Sequence, residues 1–285
     1  MTIERVGVVG CGLMGSGIAE VCARAGLDVV VREVTPEAAE AGRQRLTKSL
    51  DRGLSSGKLS EAERDAALAR LTLTTELADL ADRQLVVEAV IEDEAMKVDI
   101  FEQLDRVVTA DDAILASNTS SIPIMKLGTV TGRPEQVLGI HFFNPVPVLK
   151  LVELVTSLMT SDTTRERAET FATDQLAKRV IRSQDRAGFV VNYLLIPYLL
   201  SAIRMLESGF ASADDIDTGM VEGCSHPMGP LRLTDLIGLD TTLAVAESLY
   251  QEFKEPLYAA PPLLSRMVDA GLLGRKAGRG FYQYK

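Results

Sequence analysis

Apolar runs of strand length alternate with stretches of helical period through the first two thirds of the chain, and only helical period follows. Residues 3–9 (IERVGVV) read as a buried strand, residues 16–25 as a helix ended by Gly26, and residues 27–32 as a second strand. Thr35-Pro36 predicts a helix start, with Thr as N-cap and Pro at the first position, and the helix runs to about Leu54. Ser60-Glu61-Ala62-Glu63 predicts a capping box on the next helix. Residues 85–91 are a strand, 92–104 a helix and 113–116 a short strand that runs into Ser117-Asn118-Thr119-Ser120-Ser121. Residues 160–178 predict a helix capped by Ser161 or Asp162, and 180–181 a short extended piece. After about residue 185 the runs 189–208, 213–222, 231–253 and 262–270 are all helical in period. The expectation is an α/β chain, a doubly wound sheet over residues 1-184 followed by an all-helical domain over 185-285.

One stretch carries unusual chemistry for its hydropathy. Residues 137–155 read strand, turn, strand, and Pro145 and Pro147 break the run because neither can donate to a ladder. If the arms fold back about Pro147, residues whose numbers sum to 294 face each other, and His141 faces Glu153. Cross-strand partners lie about 4.5–5.5 Å apart at Cβ, so the carboxylate reaches the imidazole. The pair reads equally as a general acid–base dyad or as a structural hydrogen bond.

Gly10-Cys11-Gly12-Leu13-Met14-Gly15 follows the first strand and opens the first helix. In that context GxGxxG is a dinucleotide fingerprint: a tight turn, a backbone open to a pyrophosphate, and a helix N-terminus aimed at the phosphates. Glu33, 23 residues after Gly10, closes the second strand. A carboxylate there accepts from a ribose diol and repels a 2′-phosphate, which favours NAD over NADP, and strand alternation turns Arg32 to the other face. The domain is therefore expected to be Rossmann-type. Ligands in such sheets bind beyond the carboxyl ends of strands, where residues 117–121 supply hydroxyls. Ser121 is also in place to cap the helix after Ile122-Pro123. Arg45, Lys48 and Arg52 share a helix face with Lys58 just beyond, either as a solvated face or as a phosphate clamp.

The net charge of -10 argues against nucleic-acid or anionic-membrane binding and makes a local basic patch necessary for any anionic ligand. Cys11, Cys22 and Cys224 have no metal or redox spacing, so no metal is expected, and an odd count fits a reducing, cytoplasmic setting. The N-terminal run is too short for a signal peptide, and residues 189–205, interrupted by Asn192, Pro197 and Arg204, read as a buried helix and not a membrane span. Asn192 is an amide expected to need partners there. His226, among prolines, reads as structural, and the basic, glycine-rich residues 274–282 suit a loop near phosphates.

Across essentially its whole length the sequence resembles the L-3-hydroxyacyl-CoA dehydrogenases, and within them the bacterial monofunctional 3-hydroxybutyryl-CoA dehydrogenases. The resemblance rests on GCGLMGSGIAE at 10–20, VVEAVIED at 86–93, ASNTSSI at 116–122, GIHFFNPVPVLKLVE at 139–153, GFVVN at 188–192, HPMGPLRLTDLIGLD at 226–240 and GRKAGRGFYQY at 274–284. It implies catalytic roles for His141, Glu153, Ser120 and Asn192. Gly10, Gly12, Leu13, Met14, Gly15, Glu33, Glu92, Lys97, Ser120, Asn144 and Lys276 would line the NAD site. Ser120, Asn192, Ser49, Arg52 and Lys58 would meet an acyl-CoA substrate, and the helical domain would make a homodimer. With the first strand at residue 3, no hydratase module is expected before it. Two departures stand out: Tyr193 where the family usually has arginine, and Glu33 where aspartate is common. A sugar-acid dehydrogenase on the same scaffold and a non-catalytic cofactor-binding protein are the other readings, and the basic helix and the complete His141, Glu153, Ser120, Asn192 set weigh against them respectively.

Overall fold

The computed structural model describes residues 2–284. The chain divides into two compact units, Met1–Arg186 and Ala187–Lys285. The first is built on one eight-stranded sheet, β1 (Arg5–Val9), β2 (Asp28–Arg32), β3 (Leu71–Thr74), β4 (Leu85–Glu88), β5 (Ile114–Ser117), β6 (Val137–Phe142), β7 (Leu151–Thr156) and β8 (Arg179–Gln184), in the order β3-β2-β1-β4-β5-β6-β7-β8. Every neighbouring pair is parallel except β6 and β7. The order reverses between β1 and β4, so a crevice opens at their carboxyl ends, the position where doubly wound sheets bind ligands. Helices α1 (Leu13–Arg24), α2 (Pro36–Ser55), α3 (Glu61–Ala69), α4 (Glu94–Val107), α5 (Ile124–Thr129) and α6 (Asp162–Thr170) complete the unit. The strands read as near-continuous Val/Leu/Ile runs because both sheet faces are covered; Val6, Val8, Val29, Val31, Leu85 and Val87 are buried in one core.

The caps form where the sequence places them. Thr35 accepts from Ala38 N, and Ser60 and Glu63 make the reciprocal capping box. Ser161 accepts from Thr164 N at the start of α6. That helix ends at Thr170, however, and a π-turn over Phe171–Gln175 leads to Ala177 at positive φ, so the single helix expected over 160–178 is two pieces. The chain then extends for six residues as β8, longer than the two expected, because β7 offers it a full parallel ladder. Ser121 does not cap α5. The carboxylate of Asp185 does, accepting from Ile124 N at 2.8 Å and Met125 N at 2.7 Å.

The second unit is helical: α7 (Val191–Glu207), α8 (Ala213–Cys224), α9 (Pro230–Ile237), α10 (Leu239–Phe253) and α11 (Pro262–Asp269). The helix expected over 231–253 is broken at Gly238, whose φ of 104° a side chain rarely tolerates, separating α9 from α10. Tyr193 packs edge-on against Phe253, 5.4 Å between ring centroids, and against Tyr258, so an aromatic cluster stands at its position. Residues 274–282 are fastened to the helices of this unit. Buried Asp235 accepts from Phe281 N, Tyr282 N and the Tyr284 hydroxyl, and Asp217 accepts from the Tyr282 hydroxyl. Burial, with the bond to Asp235, pushes the Tyr284 hydroxyl up to about 12. Asp235→Ala strands these donors, and the expected cost is about 3 kcal/mol, read as an earlier urea transition of the second unit.

Candidate active site

The glycine turn sits at the carboxyl end of β1. Gly10 has φ +93°, and a Cβ there would meet the carbonyl oxygen of Ala89 at 2.8 Å, so only glycine lets the turn approach the β4 exit. Cys11 N donates to Glu33 Oε1 at 2.5 Å, and Val34 N donates to Glu33 Oε2. The carboxylate closing β2 therefore lies directly over the turn. Arg32 turns the other way and donates from Nε to Thr75 O at 3.2 Å. Arg45, grouped with the basic face from sequence, instead donates to the Cys11 carbonyl and ties α2 to the turn. Burial pushes the Cys11 thiol up to about 11, with Glu33 adding to it and Arg45 opposing, and burial raises Cys22 to about 12. Both thiols are protonated and unreactive at neutral pH.

The turn fits a dinucleotide. The N-terminus of α1 has no side-chain cap and no acidic residue in its first turn, so its amides are open to an anion. A Cβ built on Gly12 meets nothing within 4 Å, which leaves the outer face of the turn free for a close approach. Leu13 is exposed at the helix start, and Met14 packs against the core.

His141 lies near the carboxyl end of β6 and pairs in register with Glu153 of β7, with Gly139 opposite Val155 and Phe142 opposite Val152. This is the register expected from reflection about Pro147. His141 Nδ1 is 2.7 Å from Glu153 Oε2; Glu153 is fully buried and His141 nearly so. An ionised carboxylate can only accept, so Nδ1 carries the proton and Nε2 holds the lone pair. Phe143 leans on the imidazole, with centroids 4.6 Å apart, and fixes its plane. Asn118 Oδ1 accepts from Phe142 N at 2.9 Å and fastens the 117–121 loop to the strand beside His141. Asn144, in a cis peptide with Pro145, is exposed at the hairpin tip. Lys178 donates to the carbonyls of Val146 and Leu149 at 2.6 and 2.7 Å and holds that tip.

In the 117–121 loop, Glu92 Oε1 accepts from Thr119 Oγ1 at 2.5 Å, Ser120 N at 2.9 Å and Ser121 N at 3.1 Å. Burial would raise the Glu92 carboxyl, but Lys97 and these hydrogen bonds outweigh it and hold it below the usual carboxylate range. Lys97 is only 1% exposed. Its ammonium sits between Glu88 at 2.7 Å and Glu92 at 3.2 Å.

On α2 and α3 the ion pairs are Arg43–Glu40, Arg64–Asp51 and Arg64–Asp65. Exposed Lys48, Arg52 and Lys58 stand outside them, with Ser49 half-buried on the same helix. In the second unit Asn192 lies in the first turn of α7 and is half-exposed, not buried as its apolar neighbours suggest. Lys276 pairs with Asp240 at 2.5 Å. His226 Nδ1 meets the Tyr198 hydroxyl at 3.2 Å. Among the described residues, no group of three or more His, Cys, Asp or Glu could hold a metal ion, and no helix is long and apolar enough to cross a membrane.

Residues 5–186 match the family model described as 3-hydroxyacyl-CoA dehydrogenase, NAD binding domain, and residues 188–284 match its C-terminal domain. The chain belongs to the 3-hydroxyacyl-CoA dehydrogenase family. It is 63% identical over 282 residues, 99% of each chain, to a 3-hydroxybutyryl-CoA dehydrogenase of Mycobacterium tuberculosis. Its fold superposes on the crystal structure of M. tuberculosis FadB2 with a TM-score of 0.99 at 62% identity, covering both chains fully. On the (S)-3-hydroxybutyryl-CoA dehydrogenase PaaH1 of Ralstonia eutropha the TM-score is 0.94 at 48% identity, again with both chains covered. The cofactor of this 3-hydroxyacyl-CoA dehydrogenase is NAD, as the matched domain, the glycine turn and Glu33 agree.

Sequence reading missed the bonds by which Glu88, Asn118, Lys178 and Asp185 support the site. Glu88 had a signal, a lone carboxylate inside the apolar run LVVEAVI. Asn118 lay in the polar run 117–121 singled out for ligand binding, but its partner, like those of Lys178 and Asp185, is 24 to 61 residues away.

Proposed function

We propose that the protein interconverts short-chain (S)-3-hydroxyacyl-CoA, with (S)-3-hydroxybutyryl-CoA as the representative substrate, and the corresponding 3-oxoacyl-CoA by hydride transfer with NAD(H). The buried His141–Glu153 pair carries this reading, because alcohol oxidation needs a base at the oxygen whose carbon gives up hydride. When bound, the nicotinamide supplies the hydride acceptor. His141 Nε2 takes the 3-hydroxyl proton and, in reduction, returns it to the 3-oxo oxygen. Glu153 holds the ring through Nδ1 and stabilises the imidazolium. The Ser120 hydroxyl and the Asn192 amide hydrogen-bond the reacting oxygen and orient it towards Nε2. Gly10, Gly12, Leu13, Met14, Gly15, Glu33, Glu92, Lys97, Ser120 and Asn144 are assigned to NAD binding, and Lys276 is assigned a role in holding the same cofactor. Ser49, Arg52 and Lys58 meet the CoA phosphates; among the described residues the two cations form no ion pair, which supports this, since an acidic protein otherwise neutralises such a face. The second unit helps to bind substrate and forms a homodimer in the cytoplasm, an assignment that exposed Leu194, Phe210 and Leu257 support.

The test is the loss of NADH absorbance with acetoacetyl-CoA, run beside NADPH. Turnover with NADH is expected, with NADPH at least about tenfold poorer in kcat/KM, the equivalent of about 1.4 kcal/mol of repulsion at Glu33. A preference for NADPH would overturn the role given to Glu33. An enzyme that binds NADH but leaves acetoacetyl-CoA untouched would overturn the substrate. Arg52→Ala with Lys58→Ala is expected to raise KM for acetoacetyl-CoA about tenfold with kcat unchanged, since each lost contact is uniform binding.

A further inference from the structure

The turn that joins β6 to β7 is held from two sides. On one side it meets α1. Val146 is buried, and a Cβ built on Gly17 would lie 2.8 Å from the Val146 Cβ and 3.0 Å from its Cγ2, with Pro147 Cδ at 3.6 Å. Only a residue without a side chain lets the turn seat this closely. Gly17 is one helical turn beyond Leu13, where α1 begins with its amides open. On the other side the turn meets Lys178, whose Nζ donates to the carbonyls of Val146 at 2.6 Å and Leu149 at 2.7 Å. Within the turn, Val148 N and Leu149 N both donate to Pro145 O, at 3.0 and 2.9 Å. Asn144 is exposed and immediately precedes this fastened segment.

Lys178 does not reach the turn by a regular path. The π-turn over Phe171–Gln175 follows α6, Ala177 takes φ +51°, and Lys178 N then donates to Ala172 O at 2.8 Å. An alanine is disfavoured in that left-handed conformation, and it persists because the residue after it is tied at both backbone and side chain. Burial, with Arg24 nearby, disfavours the Lys178 ammonium and lowers its pKa, so the two carbonyls are what hold it in place. We infer that Gly17 and Lys178 are positioning residues for the cofactor: together they fix the 145–149 turn and so the place of Asn144 beside the N-terminus of α1. This rests on the reading that Asn144 belongs to the NAD site. Without either hold the turn shifts and carries Asn144 with it. His141 and Glu153 stay paired, because their ladder, from Gly139 to Phe142 on β6, does not depend on the turn's contacts.

The experiment measures NADH affinity, from cofactor fluorescence, and amide hydrogen exchange of Val148 and Leu149, in variants checked by thermal melting. Lys178→Met removes both carbonyl bonds; the two amides are expected to exchange about tenfold faster and NADH to bind about fivefold more weakly. Lys178→Arg keeps donors for both carbonyls and is expected to hold both values within about twofold of the parent. Gly17→Ala pushes the turn off α1 and is expected to weaken NADH about fivefold as well. The deciding comparison is with Asn144→Ala, expected to weaken NADH about tenfold by itself. In that background neither Lys178→Met nor Gly17→Ala is expected to weaken binding by more than about a further twofold, because both act through the lost amide. Full, additive losses there would overturn the inference, since the two residues would then support the fold at large. Should Gly17→Ala not fold, the Lys178 variants decide by the same comparison. Parental NADH affinity in Asn144→Ala would instead remove Asn144 from the NAD site and the inference with it, a failure visible in that single variant. Neither readout needs an acyl-CoA, so failure of the proposed substrate leaves this result standing.

Discussion

His141→Ala is expected to lower kcat for acetoacetyl-CoA reduction about 1,000-fold, within the range found when a positioned general acid–base is removed. NADH binding is expected to persist, because the dyad is built on β6 and β7 and the glycine turn on β1. Stopped-flow absorbance would separate the two: a normal NADH binding phase followed by an almost flat chemical phase. Glu153→Gln refines the result. A glutamine can still accept from Nδ1, so the ring stays in place, but the charge that stabilises the imidazolium is gone. We expect a loss of about 100-fold in kcat with KM for NADH unchanged. If His141→Ala retained a tenth of parental turnover, the proton-transfer assignment would have to move to another group.

The second large effect is at the glycine turn. A Cβ at position 15 would lie 1.9 Å from the carbonyl oxygen of Gly10 and 2.9 Å from its carbon. These are backbone atoms of the turn itself, so no rotamer change relieves the clash. Gly15→Ala is expected to open the turn, to cost about 2 kcal/mol of stability and to weaken NADH binding at least about 100-fold. Gly12→Ala provides the contrast. Its Cβ meets nothing within 4 Å, so the melting temperature should hold while NADH binding weakens, since the methyl occupies the face that the pyrophosphate approaches. Isothermal titration with NADH and a melting curve on both variants test the pair. Equal melting temperatures for the two would contradict the packing argument.

The parts of this fold that the sequence made legible are those written in local chemistry. The GxGxxG turn, the Thr35 and Ser60 caps and the His141–Glu153 register each depend on residues close together in the chain. β3 was not read at all. Its four residues, LTLT, carry only two apolar side chains, and pairing with β2 on one side is what makes the segment a strand. The short reading of β8 has the same origin, because its only apolar residues are Val180 and Ile181, between Arg179 and Arg182, and the rest of the edge strand is held by the ladder with β7. The helix expected over 231–253 kept its period across Gly238, where periodicity alone gives no break. The partners of Lys97 and Lys276 were not read: Glu88, nine residues before Lys97, and Asp240, 36 residues before Lys276, pair with them, and Asp235 fastens the backbone of the terminal segment. The contacts of that segment join residues too far apart for a local pattern to show.

The antiparallel step between β6 and β7 has a consequence for the order of assembly. The base and its carboxylate are 12 residues apart, on the two arms of one hairpin, whereas Glu33 meets the glycine turn across 22 residues and Ser117 meets Glu88 across 29. Hairpins close in about microseconds, and contacts of short sequence separation form ahead of parallel pairings that must wait for a crossover. The His141–Glu153 pair is therefore a local contact with a low loop-closure cost, one that does not need the cofactor crevice to bring its two residues together. The dinucleotide site, stitched from four parallel strands, is the late and cooperative part of the fold.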